Sequence, residues 1–159
     1  MAATIVCFGE LLLRMSASDN QRLMQLPSLN VHVGGAEANV AISLAQFGHT
    51  SRMVSTLPQN PLADAVIRDL RSHDVQTNSI QRREGRVGLY FLETGAVHRP
   101  SRITYDRAGS SFVETPAATY DWLTLLEDAD WLHISGITPA TGPDAAGAAL
   151  AAARTAVAQ

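Results

Sequence analysis

An extended segment that ends in two glycines and runs straight into a helix constrains this chain more than any other feature. Val33-Gly34-Gly35-Ala36-Glu37-Ala38-Asn39-Val40-Ala41 has that form. Paired glycines permit a tight turn and expose main-chain N–H groups that no Cβ shields. The helix start behind them carries partial positive charge, which favours oxygen-rich ligands. Asn39, one turn into the helix, can offer its side-chain amide to the same place. From these residues alone two readings stand: an ordinary strand-to-helix turn, or a turn that also holds a ligand.

The flanking sequence has the rhythm of an α/β domain. Residues 4–8 are β-rich and almost wholly apolar, as in a strand buried on both faces. Residues 19–30 are polar with scattered Leu and Met, a loop or part of a small lid. The spacing of Val40, Ala41, Leu44, Ala45 and Phe47 predicts a helix over 36–47, stopped by Gly48. A strand is expected over 52–56. Asn60 and Pro61 then supply the cap and first turn of a helix through Leu70. Strand, helix, strand, helix is the pattern of a parallel sheet with crossover helices.

The middle breaks this pattern. Residues 87–93 and 102–106 read as two strands joined by a turn-rich loop without a helix, an antiparallel excursion from the main sheet. The α/β order then resumes with a helix over 120–126, a strand over 131–135 and a helix from Pro143. Nine of the seventeen residues from 143 to 159 are Ala. Such a helix packs closely on a sheet but brings little bulk to a core. A crossover helix is normally followed by another strand, so the chain reads as cut off, with an exposed sheet edge.

Bulk properties remove several function classes. With 46% apolar and 17% charged residues in 159, the chain has the profile of one globular unit. A net charge of -3 gives no electrostatic reason to expect nucleic acid or an anionic membrane. No apolar run suits a membrane span, and the N-terminal run lacks the basic leader of a signal peptide; a cytoplasmic location is expected. Cys7 is the lone cysteine and reads as a buried strand thiol. The five histidines have no ligand spacing, and no metal site is expected.

Taken in order, the segments resemble the N-terminal half of the ribokinase/PfkB carbohydrate kinases, most closely the 2-keto-3-deoxygluconate (KDG) kinases. The pieces that carry the resemblance are Cys7-Phe8-Gly9-Glu10, the 33–41 segment, Val87-Gly88-Leu89-Tyr90, Tyr105-Asp106-Arg107 and Leu132-His133-Ile134-Ser135-Gly136-Ile137-Thr138-Pro139. They follow family order and cover nearly the whole chain. One departure is Ser55-Thr56-Leu57-Pro58-Gln59-Asn60-Pro61-Leu62-Ala63, where many members are glycine-rich; its form is similar to that of bacterial KDG kinases. The larger departure is that nothing here matches the D-T-x-G-A-G-D anion-hole motif with its aspartate base, and there is no Walker-type glycine loop.

The resemblance implies a ribokinase-like three-layer α/β fold with a small β lid, its strands around 10–33 and 87–107. It implies an enzyme that uses ATP and Mg²⁺ to phosphorylate a small sugar acid. This chain would hold the sugar-binding parts, with no motif for ATP or Mg²⁺ and no catalytic residue of its own. The lid could also pair between subunits as a homo-oligomer. The resemblance places Tyr90, Tyr105 and Arg107 on the sugar acid, with backbone contact from Gly34 and Gly35, hydroxyl recognition by Asn39 and an apolar wall from Ile137. The chemistry suits those roles, because an arginine fork can bind a carboxylate through two N–H groups. On the residues alone, the tyrosines could equally pack with Phe91 while Arg107 sits in solvent.

Other residues read more plainly. Glu37 is expected to be an exposed first-turn acid that complements the helix dipole. His133 is expected to be a satisfied core histidine, Asp128 and Asp130 loop or helix-end acids, and Arg82, Arg83 and Arg86 a solvated basic cluster. The competing functions are a truncated, non-catalytic sugar-binding module, a PfkB-type kinase for another sugar such as fructose, and a dinucleotide-binding oxidoreductase. The last is weakened because no G-x-G-x-x-G follows the first strand.

Overall fold

Alternation along the first strand, β1 (Thr4–Phe8), divides the core in two. Ile5 and Cys7 point to one side of the sheet, Val6 and Phe8 to the other, and all four are buried. The computed structural model describes residues 2–25 and 27–159; residue 26, inside the polar 19–30 stretch, lies outside the described residues. β2 (Leu12–Ser16) and β3 (Asn30–Gly34) follow, then α1 (Ala36–Gln46) and β4 (Thr50–Pro58). β4 is longer than the strand predicted over 52–56. It pairs in parallel with β1 along the whole of that strand, Thr4 opposite Thr50 through Phe8 opposite Val54.

α2 (Pro61–Ser72) starts where its cap predicts, the Asn60 side chain accepting a hydrogen bond from the Ala63 N–H at 3.0 Å. β5 (Ile80–Arg83) then pairs in parallel with β4 at the sheet edge. It was not anticipated, because three of its four residues are polar. β6 (Gly88–Glu93) and β7 (Arg102–Asp106) pair antiparallel, with Tyr90 opposite Tyr105. A short 3₁₀ turn, Ala117–Thr119, precedes α3 (Trp122–Leu126). α3 starts later than the expected residue 120, because the Asp121 carboxylate caps it by accepting from the Thr124 N–H at 3.4 Å, and it also accepts from the Thr124 hydroxyl at 2.7 Å. The chain closes with β8 (Trp131–His133), α4 (Ile137–Ala140) and α5 (Pro143–Ala158).

These strands make two sheets. The main sheet has the order β5-β4-β1-β8 and is parallel throughout, while the second has the order β3-β2-β6-β7. In the second sheet β2 joins β6 in parallel and β3 antiparallel. Helices α1 and α2 cover one face of the main sheet, where Ala38, Ala41, Val66 and Leu70 meet Ile5, Cys7, Met53 and Leu57. The other face is filled by Phe8, whose ring lies 5.5 Å from Phe112, 4.9 Å from Tyr120 and 4.8 Å from Trp122. Burying such a ring contributes about 1.5–3 kcal/mol. Ala145, Ala148, Ala149 and Ala152 of α5 are buried on this side, a close helix–sheet contact made by methyl groups. β8 is the edge strand beside β1, and its Trp131 is exposed. No helix among the described residues is long and apolar enough to cross a membrane.

The two-sided core has a consequence at high pH. Burial, with the Glu37 charge adding to it, raises the Cys7 thiol from 9.0 to about 12. Burial likewise raises the Tyr120 hydroxyl from 10.0 to about 12. Above pH 9 the unfolded chain loses these protons while the native chain keeps them, so stability falls as pH rises toward 12. For Cys7 alone the loss is about 1.4 kcal/mol by pH 10. Urea unfolding at pH 8 and pH 10 measures it, and Cys7→Ala should flatten the slope. Equal stability of the wild-type chain at both pH values would show that the thiol is not sealed.

Candidate functional site

The C-terminal ends of the main-sheet strands are where parallel α/β folds leave a crevice for ligands. At the end of β1 the chain leaves the main sheet for the second one, and α1 starts beside it. Gly35 makes the turn into α1 with φ +148°, and a Cβ there would lie 2.7 Å from the Glu10 carbonyl oxygen. Only glycine fits both the conformation and the approach. A cleft of about 130 Å³ opens between this turn, the second sheet and the segment after β8. Six of the seven residues singled out in the sequence line it: Gly35, Asn39, Tyr90, Tyr105, Arg107 and Ile137. Gly34 stands behind, where a Cβ would meet the Tyr90 ring at 3.0 Å.

Strand register brings the two tyrosines together. As cross-strand partners they project on one side of the sheet, with ring centroids 5.8 Å apart. Phe91, one residue on, projects to the opposite side, so the tyrosines do not pack with it as a shared strand face. Arg107 follows β7 directly, and its guanidinium carbon lies 5.6 Å from the centre of the Tyr105 ring. Its side chain is 17% exposed, which removes the reading of a freely solvated charge.

The residue that sequence reasoning missed is Glu10. It is 3% exposed, and its Oε2 accepts from Arg107 Nε at 2.7 Å and also from Nη2. Its Oε1 accepts from the Ser110 hydroxyl at 2.6 Å. Gly88 makes room, since a Cβ there would lie 2.5 Å from Oε1. One side of the guanidinium is therefore spent inside the protein. Both Nη1 hydrogens and the second Nη2 hydrogen are not used by this pair, and one from each nitrogen forms the end-on edge.

Across the whole chain, the profile of the pfkB family carbohydrate kinases matches residues 2–158. The chain belongs to that family. A 2-dehydro-3-deoxygalactonokinase of Haloferax volcanii is 36% identical over 140 residues, covering 88% of this chain and 44% of that protein. A 2-dehydro-3-deoxygluconokinase of Bacillus subtilis is 27% identical, covering 88% of this chain and 43% of its own length. The crystal structure of 2-dehydro-3-deoxygluconokinase from Thermotoga maritima superposes with a TM-score of 0.93 at 45% identity, over 97% of this chain and 47% of that one. The two sheets and their helices are thus the ribokinase-like fold. The chain spans less than half the length of these relatives.

Several residues of this PfkB-family chain differ from their sequence reading. Glu37 is not an exposed helix acid: it is 1% exposed, lines the cleft and accepts hydrogen bonds from Ser135 and Thr138. The predicted strand over 131–135 accordingly ends at His133, and the following residues turn into α4. His133 is not a satisfied core residue; it is half-buried on the edge strand, and its Nε2 has no partner among the described residues. The basic cluster is partly paired. Arg82 donates to Asp64 at 2.8 Å, and Arg86 holds Asp106 through two contacts of 2.9 Å. Those bonds keep the Asp106 carboxyl below the usual carboxylate range and tie the β7 end, next to Arg107, to the start of β6. Asp128 pairs with Arg52, and Asp130 accepts from the Thr4 N–H, both in structural roles.

Proposed function

We propose that this chain supplies the sugar-binding half of an ATP-dependent kinase for a 2-keto-3-deoxy sugar acid. The observation that carries the reading is Arg107. Its inner edge is fixed by Glu10, leaving its end-on edge to take a ligand carboxylate through two N–H groups. The Tyr90 and Tyr105 hydroxyls and the Asn39 amide would take ligand oxygens, and the backbone at Gly35 would approach closely. The names of the Haloferax, Bacillus and Thermotoga relatives, kinases for 2-dehydro-3-deoxy acids, support the same class; 2-dehydro is another name for 2-keto.

Phosphoryl transfer needs a base for the acceptor hydroxyl and donors for the developing charge. We assign ATP and Mg²⁺ to residues outside this chain, because no stretch of it resembles the family's anion-hole motif. What the chain does is bind and orient the acceptor, and exclude water from it.

Calorimetric titration of the chain with KDG tests this, and saturable binding is expected. The same chain, mixed with KDG and MgATP, should give no phosphorylation in a coupled assay. Turnover at the ~1 s⁻¹ or more usual for kinases would overturn that assignment of labour. One observation favours a second reading, a kinase for a neutral sugar such as fructose: Glu10 already offsets the charge of Arg107. Fructose binding more tightly than KDG would decide for it.

A further inference from the structure

Glu37 is a carboxylate buried at the floor of the cleft with no cation within ion-pair distance among the described residues. Burying such a group is costly unless donors surround it. Three donors converge on its Oε1: the Ser135 N–H at 2.9 Å, the Ser135 hydroxyl at 2.6 Å and the Thr138 hydroxyl at 2.8 Å. Ser135 lies between β8 and α4 and Thr138 in α4 itself, about 100 residues away in sequence. The other oxygen, Oε2, packs on Gly9 at the end of β1, where a Cβ would lie 2.1 Å away. Glu37 itself belongs to the first turn of α1, whose N-terminal dipole favours the negative charge.

The carboxylate therefore touches three segments, and each contributes a wall of the cleft. The first turn of α1 carries Gly35 and Asn39. The end of β1 runs into Glu10, the partner of Arg107. The 135–138 segment carries Ile137, whose N–H bonds back to the Ser135 hydroxyl at 3.4 Å. β1 and β8 pair as far as Cys7 opposite His133, and the Thr138 hydroxyl also reaches the Phe8 carbonyl at 3.5 Å. Between α1 and the 135–138 segment, however, the hydrogen bonds among the described residues are those of Glu37, so the spacing of these two walls depends on its contacts. We infer that Glu37 is a positioning residue for ligand binding, a clamp that sets the distance between the Ile137 wall and the Gly35–Asn39 turn. The inference rests on the sugar-acid reading of the cleft.

The test compares the wild-type chain with Glu37→Gln, Thr138→Val and Val66→Ala. Thr138 is 1% exposed and lines no part of the cleft, so Thr138→Val removes one donor without touching the ligand. Val66, on the buried face of α2, does not line the cleft, and Val66→Ala serves as the variant that loses stability alone. Two quantities are read: amide hydrogen exchange at Ser135 and Ile137, and the Kd for KDG by calorimetry well below the melting temperature. In Glu37→Gln and Thr138→Val, exchange at these amides should be roughly tenfold faster and the Kd roughly five- to tenfold higher, the effect of about one lost hydrogen bond. Val66→Ala should leave both unchanged.

Unchanged exchange, or faster exchange with unchanged Kd, in both clamp variants would overturn the role of Glu37. A Kd raised equally in Val66→Ala would overturn it as well, since stability alone would then explain the effect. Absence of KDG binding by the wild-type chain would instead overturn the sugar-acid reading beneath it.

Discussion

Glu10→Ala is expected to cost the fold about 3 kcal/mol, the lower end of the range for removing one partner of a buried ion pair. Glu10 is the more buried member, with 2% of its side chain exposed against 17% for Arg107. Its loss strands a guanidinium in a largely dry place and leaves the buried Ser110 hydroxyl without its acceptor. The remaining exposure of Arg107 lets water reach part of the stranded charge, which is why the lower end applies. Glu10→Gln keeps the shape and one acceptor, so it should cost clearly less. Urea unfolding with an unchanged m-value gives both numbers. A loss below ~1 kcal/mol for Glu10→Ala would place the pair with ordinary surface ion pairs and remove the basis for a fixed Arg107.

The elements governed by local chemistry were legible in the sequence. The Asn60 cap, the glycine turn before α1 and the apolar run of β1 each act within a few residues of themselves, and each appears where its residues predict. Elements governed by distant partners were not. Ile80–Arg83 is a strand because β4 offers an edge with Ser55 to Pro58 unpaired on that side, not because Gln81, Arg82 and Arg83 favour one. The parallel pairing of β2 with β6 joins segments more than seventy residues apart and leaves no signal in either.

The site divides in the same way. Tyr90, Tyr105, Arg107, Asn39 and Gly35 were named through family resemblance, and the structure brings them around one cleft, with Gly34 behind it. Glu10 and Glu37 were hidden because a buried acid has no local mark of burial. Each is sealed by a residue about 100 positions away and by a glycine that makes room for it, Gly88 for Glu10 and Gly9 for Glu37. The usable signal lay in those glycines. Gly9 directly follows an apolar strand and Gly88 begins one, where the lack of a side chain costs conformational freedom unless something packs against the backbone.

Arg107→Ala is expected to weaken KDG binding by about 1.5–3 kcal/mol, the worth of a hydrogen bond to a charged group. The size of the effect follows from how the guanidinium is held. With Nε and one side of Nη2 on Glu10, the side chain has little rotamer freedom left to lose when the ligand arrives, so the interaction with a carboxylate is not spent on ordering it. Arg107→Lys should recover only part of the loss. An ammonium can balance Glu10 or reach the ligand, but it lacks the planar fork that does both at once. Tyr90→Phe and Tyr105→Phe should each cost about 0.5–1.5 kcal/mol if their hydroxyls bond the ligand. Of the two, Tyr90 should show the larger effect, because Tyr105 is 56% exposed and its hydroxyl has water as an alternative partner. Because Arg107→Ala also strands Glu10, binding should be compared at a temperature where every variant is folded, by calorimetric titration with KDG and with fructose. The acid should lose affinity and the neutral sugar should not. An unchanged Kd for KDG in Arg107→Ala would mean that the guanidinium serves only Glu10, and the carboxylate contact assigned to it would be wrong.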